Sequence, residues 1–279
     1  MNKEPIIKFN NAMALGHRTW TFEKDKIAAC IFTFKDDEPC LHECVRALRR
    51  LQKKHNIEIF IFDDSEHPIE NVPEGVHYRK TYFDRKGNLN GEECAQGQMI
   101  EFLIAARQCQ AEYILKIDCD TIIRSLDRFL SPLKVERDSV VGFQITRFMD
   151  YCAGSMYLLP TVKLYNAIRN FVPFMAEERT KSTFISHVPE DRTITRCVMA
   201  QGSTMRLFDN VEHPENWIFA PYNFRELNKE TLTASHISLR RYCIYDVVNF
   251  GNRQELMPEN ARAIAGKAMK LFNDMEENK

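Results

Sequence analysis

The sequence predicts an α/β protein built around a mainly parallel sheet. Short apolar runs alternate with segments whose apolar residues recur at helical spacing. The apolar runs cover residues 27–34, 57–62 and 113–118. Runs that are apolar throughout are typical of parallel strands, which are buried on both faces. In a sheet with this strand and helix order, the ligand site is expected outside the carboxyl ends of the strands.

The helices of the first half have clear signals. After the first strand, Asp36 and Asp37 are suitable helix caps and Pro39 suits an early helical position. The apolar residues that follow at helical spacing are Leu41, Cys44, Val45, Leu48 and Leu51. A second helix is predicted from the spacing of Met99, Phe102, Leu103 and Ala106. Each of these helices connects one predicted strand to the next.

The second half of the chain is less regular. Its predicted elements are strands at residues 139–145 and 153–159, a helix at 161–171, and a polar, mobile loop at 176–186. Pro189 begins a further helix with Glu190 and Asp191 in its first turn, where carboxylates complement the helix dipole. A strand-like run at residues 233–237 contains His236, and a lone histidine of this kind is more often structural than a ligand.

Composition limits the class of protein. A chain of 279 residues with 44% hydrophobic and 28% charged residues suits a large globular α/β protein. A net charge of −1 argues against a nucleic acid polymer as the main partner. Nine scattered cysteines predict a reducing compartment, and no apolar leader or run of about 18 apolar residues occurs. We therefore expect a cytoplasmic protein without a transmembrane segment, with peripheral membrane contact left open.

An Asp-x-Asp motif follows the run at 113–118. Asp118 and Asp120 place two carboxylates at the end of a predicted buried strand, where they repel each other and lose solvation. A cation with oxygen ligands, Mg²⁺ or Mn²⁺, would relieve this repulsion and could bridge phosphates. The alternative is a turn in which the two residues only cap the following segment. Polar residues at 33–36 and 63–65 end the other two strands and are expected at the same edge.

The order of these motifs resembles the GT-A fold of nucleotide-sugar glycosyltransferases, most like family 2. The motifs that carry the resemblance are the strand at 31–33, the polar run at 62–65, the Asp-x-Asp strand at 113–120, the run at 154–158 and the acidic pair at 189–191. The resemblance spans about residues 26 to 240. It implies an N-terminal extension at 1–25, a nucleotide-binding half at 26–125, an acceptor half at 126–240 and a C-terminal helical segment at 241–279.

The resemblance also implies roles for residues that bind the nucleotide. Thr33, Phe34 and Asp36 would line the nucleotide pocket, although the asparagine that the family often carries soon after the first strand is replaced here. Asp64 would accept a hydrogen bond from the base. Asp118 would serve the ribose.

Further roles concern the metal and the chemistry. Asp118, Asp120 and His236 would hold Mn²⁺ or Mg²⁺, with Asp120 the surer direct ligand. Asp191 matches the general base of inverting members, and Glu190 beside it would help to bind the acceptor. The implied reaction moves one sugar from a nucleotide-sugar donor, expected to be a UDP-sugar, to a hydroxyl of a glycan, a glycolipid or another acceptor. The Gln-x-x-Arg-Trp sequence of processive synthases is absent, which favours a single-sugar transferase.

Three other classes compete with this interpretation. A haloacid-dehalogenase phosphatase also has Asp-x-Asp after a strand, but it requires Thr or Val where Ile122 stands and has the motif near its N-terminus. A nucleotidyltransferase would carry a glycine-rich basic loop where residues 33–39 are acidic. A binding protein that keeps the fold without activity is the remaining alternative, and the intact Asp118, Asp120 and Asp191 argue against it.

Overall fold

A seven-stranded, mostly parallel sheet forms the centre of the molecule, with strand order β3-β2-β1-β4-β7-β6-β8. The computed structural model describes residues 21–33, 37–83, 91–144, 149–181, 189–209, 217–219, 239, 241–251 and 261–279. The strands of the described part are β1 (Glu23–Thr33), β2 (Ile57–Asp63), β3 (His77–Lys80), β4 (Ala111–Asp118), β5 (Thr121–Ile123), β6 (Val140–Gln144), β7 (Met156–Pro160), β8 (Met205–Asp209), β9 (Trp217–Phe219) and β10 (Val247–Asn249). Strands β5, β10 and β9 form a second, small sheet.

Helices cover both faces of the large sheet. The helices of the described ranges are α1 (Glu38–Leu51), α2 (Gly91–Cys109), α3 (Asp127–Leu130), α4 (Thr161–Arg169), α5 (Phe171–Lys181), α6 (Glu190–Met199) and α7 (Ala261–Glu277), with 3₁₀ turns at Ser131–Lys134 and Arg241–Ile244. The pairs β1/β2, β1/β4, β2/β3 and β6/β8 are parallel, whereas β7 runs antiparallel to both β4 and β6. The prediction of a mainly parallel α/β fold is confirmed.

The alternation of side chains along β1 explains why the sheet needs helices on both sides. Ile27, Ala29 and Ile31 belong to a core cluster that also contains residues of α1 and α7. Cys30 and Phe32 face the opposite cluster, which contains residues of α2, α4 and α6. Successive residues of a strand point to opposite faces, so a continuous apolar run buries both faces of β1.

One predicted loop is a helix in the structure. Residues 176–186 were expected to be a polar, mobile loop, but α5 continues to Lys181. Phe171 and Met175 are buried on one side of α5, and Lys181 pairs with Glu177 at 2.6 Å across one helical turn. The polar residues therefore form the exposed side of a helix. Residues 182–186 lie outside the described part.

The chain after residue 240 adds a strand and a helix. β10 pairs with β5 and β9, and α7 packs on α1. The contact between the two helices is close, since a Cβ at Gly266 would lie 2.6 Å from the Cβ of Pro39. Arg46 of α1 also donates to Glu277 at 2.7 Å. The predicted domain boundaries at 25 and 240 stay predictions.

Two further features bear on the expected class of protein. All nine cysteines are free, and all but Cys243 are buried. No helix of the described ranges is long and apolar enough to cross a bilayer.

Candidate functional site

The parallel register brings three strand ends to one edge of the sheet. Thr33 at the end of β1 lies opposite Asp63 of β2, and the preceding Phe32 lies opposite Asp118 of β4. The amide of Asp64 donates to the carbonyl of Thr33 at 3.1 Å. These residues therefore meet as the sequence predicts. Phe34 and Asp36, the other predicted nucleotide contacts, lie outside the described residues.

The two aspartates after β2 have different surroundings. Asp63 is fully buried and accepts hydrogen bonds from the amides of Ser65 and Ile69 at 2.9 and 3.0 Å and from the Tyr78 hydroxyl at 2.6 Å. Burial alone would raise the pKa of Asp63, but these hydrogen bonds, with one from the Ser65 hydroxyl, hold it below its ordinary value. Asp63 thus fixes the turn that follows β2, at residues 64–69. Asp64 lies half-buried beside Thr33, at the position predicted for a base contact.

We expect Asp63→Ala to cost about 2–4 kcal/mol of stability, because it leaves buried donors of Ser65, Ile69 and Tyr78 without their acceptor. Urea unfolding measures this loss. Asp64→Ala is the matched control on the next residue and should cost under about 1 kcal/mol. Equal losses in the two variants would contradict the structural role assigned to Asp63.

Asp118 is held by a buried lysine. Lys116 lies two residues earlier on β4, and its side chain is 2% exposed while that of Asp118 is 37% exposed. The Lys116 ammonium donates to Asp118 Oδ1 at 2.5 Å and to the carbonyl of Gly154. The amide of Asp118 donates to the carbonyl of Ser155 at 2.9 Å. One carboxylate of the Asp-x-Asp motif is therefore neutralised by a fixed cation.

Asp120 lies deeper, where the small sheet meets the large one. It is 5% exposed, and its Oδ1 accepts a hydrogen bond from the Asn249 amide at 2.8 Å. Asn249 lies opposite Thr121 in the β5/β10 pair, which is why the end of β10 reaches Asp120. The amide of Phe250 also donates to the Asp120 carbonyl at 2.8 Å. The orientation of Asp120 is thus set by a strand from the far end of the chain.

Asp191 lies in the first turn of α6, against the Gly154 turn. A Cβ at Gly154 would lie 3.1 Å from Asp191 Oδ2, so glycine leaves the space for this carboxyl group. The amide of Arg192 donates to Asp191 Oδ1 at 2.7 Å. The prediction that a helix begins at the acidic pair is confirmed, because α6 begins at Glu190. Gly154 therefore connects Asp191 with the lysine that binds Asp118.

The surroundings of Asp191 favour its neutral form. The pKa of Asp191 rises to about 7, mainly because burial removes solvent from its carboxyl group and secondly because the Glu190 carboxylate is close. The Lys116 ammonium acts in the opposite sense and lowers this pKa. Tyr157 of β7 is fully buried nearby, and burial followed by the Asp191 charge raises its pKa well above the ordinary value. A carboxyl group that titrates near neutral pH can exchange a proton under physiological conditions.

Three residues of this cluster were not predicted to belong to the site. Lys116 had a usable signal, since a lysine within an otherwise apolar strand must find a partner. Gly154 was part of a motif but had no role of its own. Asn249 had no signal, because its contact with Asp120 depends on a long-range strand pairing.

The predicted third metal ligand, His236, lies outside the described residues. Within the described ranges, no group of three or more His, Cys, Asp or Glu residues is placed to hold a metal ion. Asp118 and Asp120 are the two predicted ligands that the structure does place, at the end of β4 and two residues beyond it.

The fold is similar to that of solved glycosyltransferases. An active-site mutant of LgtC matches with a TM-score of 0.50 and 10% identity over 87% of this chain and 95% of that chain. A glycosyltransferase involved in the glycosylation of the major capsid of PBCV-1 matches with a TM-score of 0.50 and 11% identity over 88% of this chain and 98% of that chain. The chain has a glycosyltransferase fold.

A further solved structure matches this chain with a lower TM-score. The galactosyltransferase LgtC in complex with donor and acceptor sugar analogs has a TM-score of 0.48 and 10% identity, over 87% of this chain and 95% of that chain. No protein-family model and no curated protein matches the sequence. The assignment to family 2 in particular stays a prediction.

Proposed function

We propose that this protein is a metal-dependent glycosyltransferase that moves one sugar from a nucleotide-diphosphate sugar to an acceptor hydroxyl, with inversion at the anomeric carbon. The donor class is a UDP-sugar, and the acceptor is a hydroxyl of a glycan, a glycolipid or another molecule. The fold supports glycosyl transfer in general. The residues at the carboxyl edge of the sheet support the finer statement.

The observation that carries the proposal is one connected cluster of charged residues. Asp118 and Asp191 lie on different elements, and Lys116 and Gly154 lie between them. The Asp118 carboxyl group is paired with the Lys116 ammonium at 2.5 Å, whereas Asp191 has a pKa of about 7. Two carboxyl groups with different environments are suited to different tasks, one to binding and the other to proton transfer.

The residues present fit a hard divalent cation. Asp118 keeps Oδ2 available, since within the described residues only Oδ1 receives a side-chain hydrogen bond, and its side chain is 37% exposed. Carboxylate oxygens suit Mg²⁺ or Mn²⁺, and both ions take further ligands from phosphates. Asp118 and Asp120 would hold the ion, and when bound it would stabilise the negative charge of the departing diphosphate.

Each side chain of the cluster then has a task. Asp118 and Asp120 bind the donor through the diphosphate end, and Thr33 and Asp64 lie where the nucleoside is expected. The Asp191 carboxylate accepts the proton of the acceptor hydroxyl while the acceptor oxygen bonds to the anomeric carbon. The bond from that carbon to the diphosphate oxygen breaks on the opposite face. Glu190 lies beside Asp191 at the start of α6 and contributes to acceptor binding.

This mechanism predicts that transfer is faster in mild alkali than in mild acid. Asp191 must be ionised to accept a proton, and its pKa is about 7. We expect kcat to rise about tenfold for each pH unit below 6 and to level off above about pH 8. Asp191→Asn should lose this dependence along with most of its activity. A rate that is flat between pH 5.5 and 8.5 in the parent would contradict proton transfer to Asp191.

A screen of nucleotide sugars with Mn²⁺ tests the donor class. A ligand at 100 times its dissociation constant adds about 2.7 kcal/mol of stability, which shifts the melting temperature by about 5–10 °C in a protein of this size. UDP-sugars are expected to give the largest shift, and a chelator should abolish it. If no nucleotide sugar stabilises the protein, the proposal is wrong. If nucleotide sugars bind without being turned over, the protein is a binding protein with this fold.

A further inference from the structure

Lys116 is a charged residue buried at the centre of the large sheet. It lies opposite Cys30 of β1 and Tyr157 of β7, in the strand that separates the two. Its ammonium is 5.8 Å from the centre of the Tyr157 ring. A buried cation costs several kcal/mol unless its partners compensate. The partners of Lys116, Asp118 and the carbonyl of Gly154, both belong to the proposed site.

The turn that contains Gly154 is docked on both sides. The amide of Ala153 donates to the Phe143 carbonyl at 2.7 Å, which ties the turn to the sheet. Towards α6, the Thr195 hydroxyl accepts from the Cys152 amide at 3.4 Å and donates to the Asp191 carbonyl at 2.8 Å. A displacement of the Gly154 carbonyl would therefore also displace Asp191.

We propose that Lys116 is a positioning residue: its ammonium holds Asp118 and the Gly154 turn in one arrangement and supplies the positive charge against which Asp191 is placed. This inference rests on the proposed function, because it gives Lys116 a task in the same site. It adds a fixed internal cation to a site expected to depend on a bound one. Lys116 touches neither donor nor acceptor and acts through Asp118 and Asp191.

The charges around Asp191 show why a fixed cation is needed. Glu190 and Asp118 oppose its ionisation, and Lys116 favours it. Among the described residues, the charge of Asp191 also acts on Tyr151, Cys152 and Tyr157, and burial raises the pKa of each, so these groups remain neutral. The backbone amide of Arg192 is a further donor to its carboxylate. Without Lys116, the acidic groups would repel one another across the Gly154 turn.

Lys116→Met tests the inference, with Lys26→Met as its matched control. Methionine keeps the unbranched apolar stem and removes the charge. Lys26 is also a buried lysine on a central strand, 8% exposed, and it pairs with Glu58 at 2.9 Å and Glu23 at 3.0 Å. Lys26 lies near the start of β1, whereas the proposed site lies at the carboxyl ends of the strands. The two variants therefore make the same chemical change inside and outside the site.

The first readout does not depend on catalysis. Asp191→Asn is introduced into the parent and into both methionine variants, and the melting temperature of each pair is compared at pH 8. In Lys116→Met the Asp191 carboxylate lacks its counter-charge, and asparagine removes that carboxylate. Asp191→Asn should therefore raise the melting temperature of Lys116→Met by about 2–4 °C more than it raises that of the parent. The gain in Lys26→Met should equal that in the parent. Equal gains in all three backgrounds would overturn the inference.

The second readout is transfer, measured with the donor that the nucleotide-sugar screen identifies. Lys116→Met should lower kcat at least tenfold, while Lys26→Met leaves kcat within about twofold even if both melt earlier. A purely structural role for Lys116 predicts parent-like kcat for the folded fraction, and that result would overturn the inference. If the parent itself transfers no sugar, the proposed function fails, whereas the melting comparison still decides the coupling between Lys116 and Asp191.

A second variant covers the case in which Lys116→Met does not fold. Gly154→Ala leaves Lys116 in place but puts a methyl group 3.1 Å from Asp191 Oδ2. We expect kcat to fall at least tenfold while donor affinity stays within about twofold. Unchanged kcat in a folded Gly154→Ala protein would overturn the positioning role of the turn.

Discussion

Asp191→Asn is expected to lower the rate of sugar transfer by about 10² to 10⁴, with donor affinity within about twofold of the parent. Asparagine is nearly isosteric and keeps an oxygen to accept from the Arg192 amide, but it cannot take up the proton of the acceptor hydroxyl. Initial rates at saturating donor give kcat, and calorimetric titration with the nucleoside diphosphate and Mn²⁺ gives the affinity for the nucleotide part of the donor.

The same variant should be more stable than the parent in mild alkali. Folding raises the pKa of Asp191 from 3.8 to about 7, so proton binding favours the folded state, and this contribution is lost as pH rises through 7. A three-unit shift corresponds to at most about 4 kcal/mol, and partial solvent contact reduces it to about 1–2 kcal/mol. Asp191→Asn should therefore melt higher than the parent at pH 8 and at nearly the same temperature at pH 4.

A capping role for Asp191 predicts a different pattern. A carboxylate in the first turn of α6 would interact with the helix dipole, and its loss would cost about 0.3–1 kcal/mol at neutral pH. Turnover would then be close to normal. Normal turnover together with lower stability at pH 8 would remove Asp191 from the mechanism.

Asp120→Ala is expected to abolish metal-dependent donor binding, because it removes one of the two carboxylates proposed to hold the ion. The fold should survive. Loss of the hydrogen bond from Asn249 destabilises the variant, whereas relief of repulsion with Asp118 stabilises it, so the melting temperature should change by only a few degrees. Calorimetric titration with nucleoside diphosphate and Mn²⁺ measures the binding.

Asp127→Ala is the control for this experiment, since its side chain is 66% exposed on α3 and lies 3.5 Å from His55, just before the start of β2 and not at the carboxyl ends of the strands. It should bind nucleoside diphosphate and Mn²⁺ like the parent. Parent-like binding by Asp120→Ala itself would show that Asp120 is not a metal ligand.

The part of the fold that could be predicted is the part governed by local pattern. The central parts of β1, β2 and β4 are mainly apolar, and α1 has a regular helical stripe. Their order along the chain therefore predicts a parallel sheet and the edge at which Asp118 lies. The short strands β5 and β10 could not be predicted. Each has three residues, and each is formed by pairing with a distant part of the chain.

The candidate site shows the same division between local and long-range information. Asp118, Asp120 and Asp191 could be proposed from motifs, whereas the apolar pattern of residues 113–118 predicts the strand but not the partners of Lys116 within it. The contact of Lys116 with Gly154 joins residues 38 positions apart, and that of Asn249 with Asp120 joins residues 129 apart. Such contacts follow from the tertiary fold and not from any local sequence pattern.

The most direct test of the account is the fate of a UDP-sugar incubated with the protein, Mg²⁺ and a hydroxyl acceptor, followed by proton NMR. We predict that the anomeric signal of the donor disappears and that a product signal of opposite configuration appears. Both changes should require Mg²⁺ and should be absent with Asp191→Asn and with Asp120→Ala. A product of retained configuration would contradict a single displacement assisted by Asp191. A donor left intact under all conditions would contradict glycosyl transfer itself.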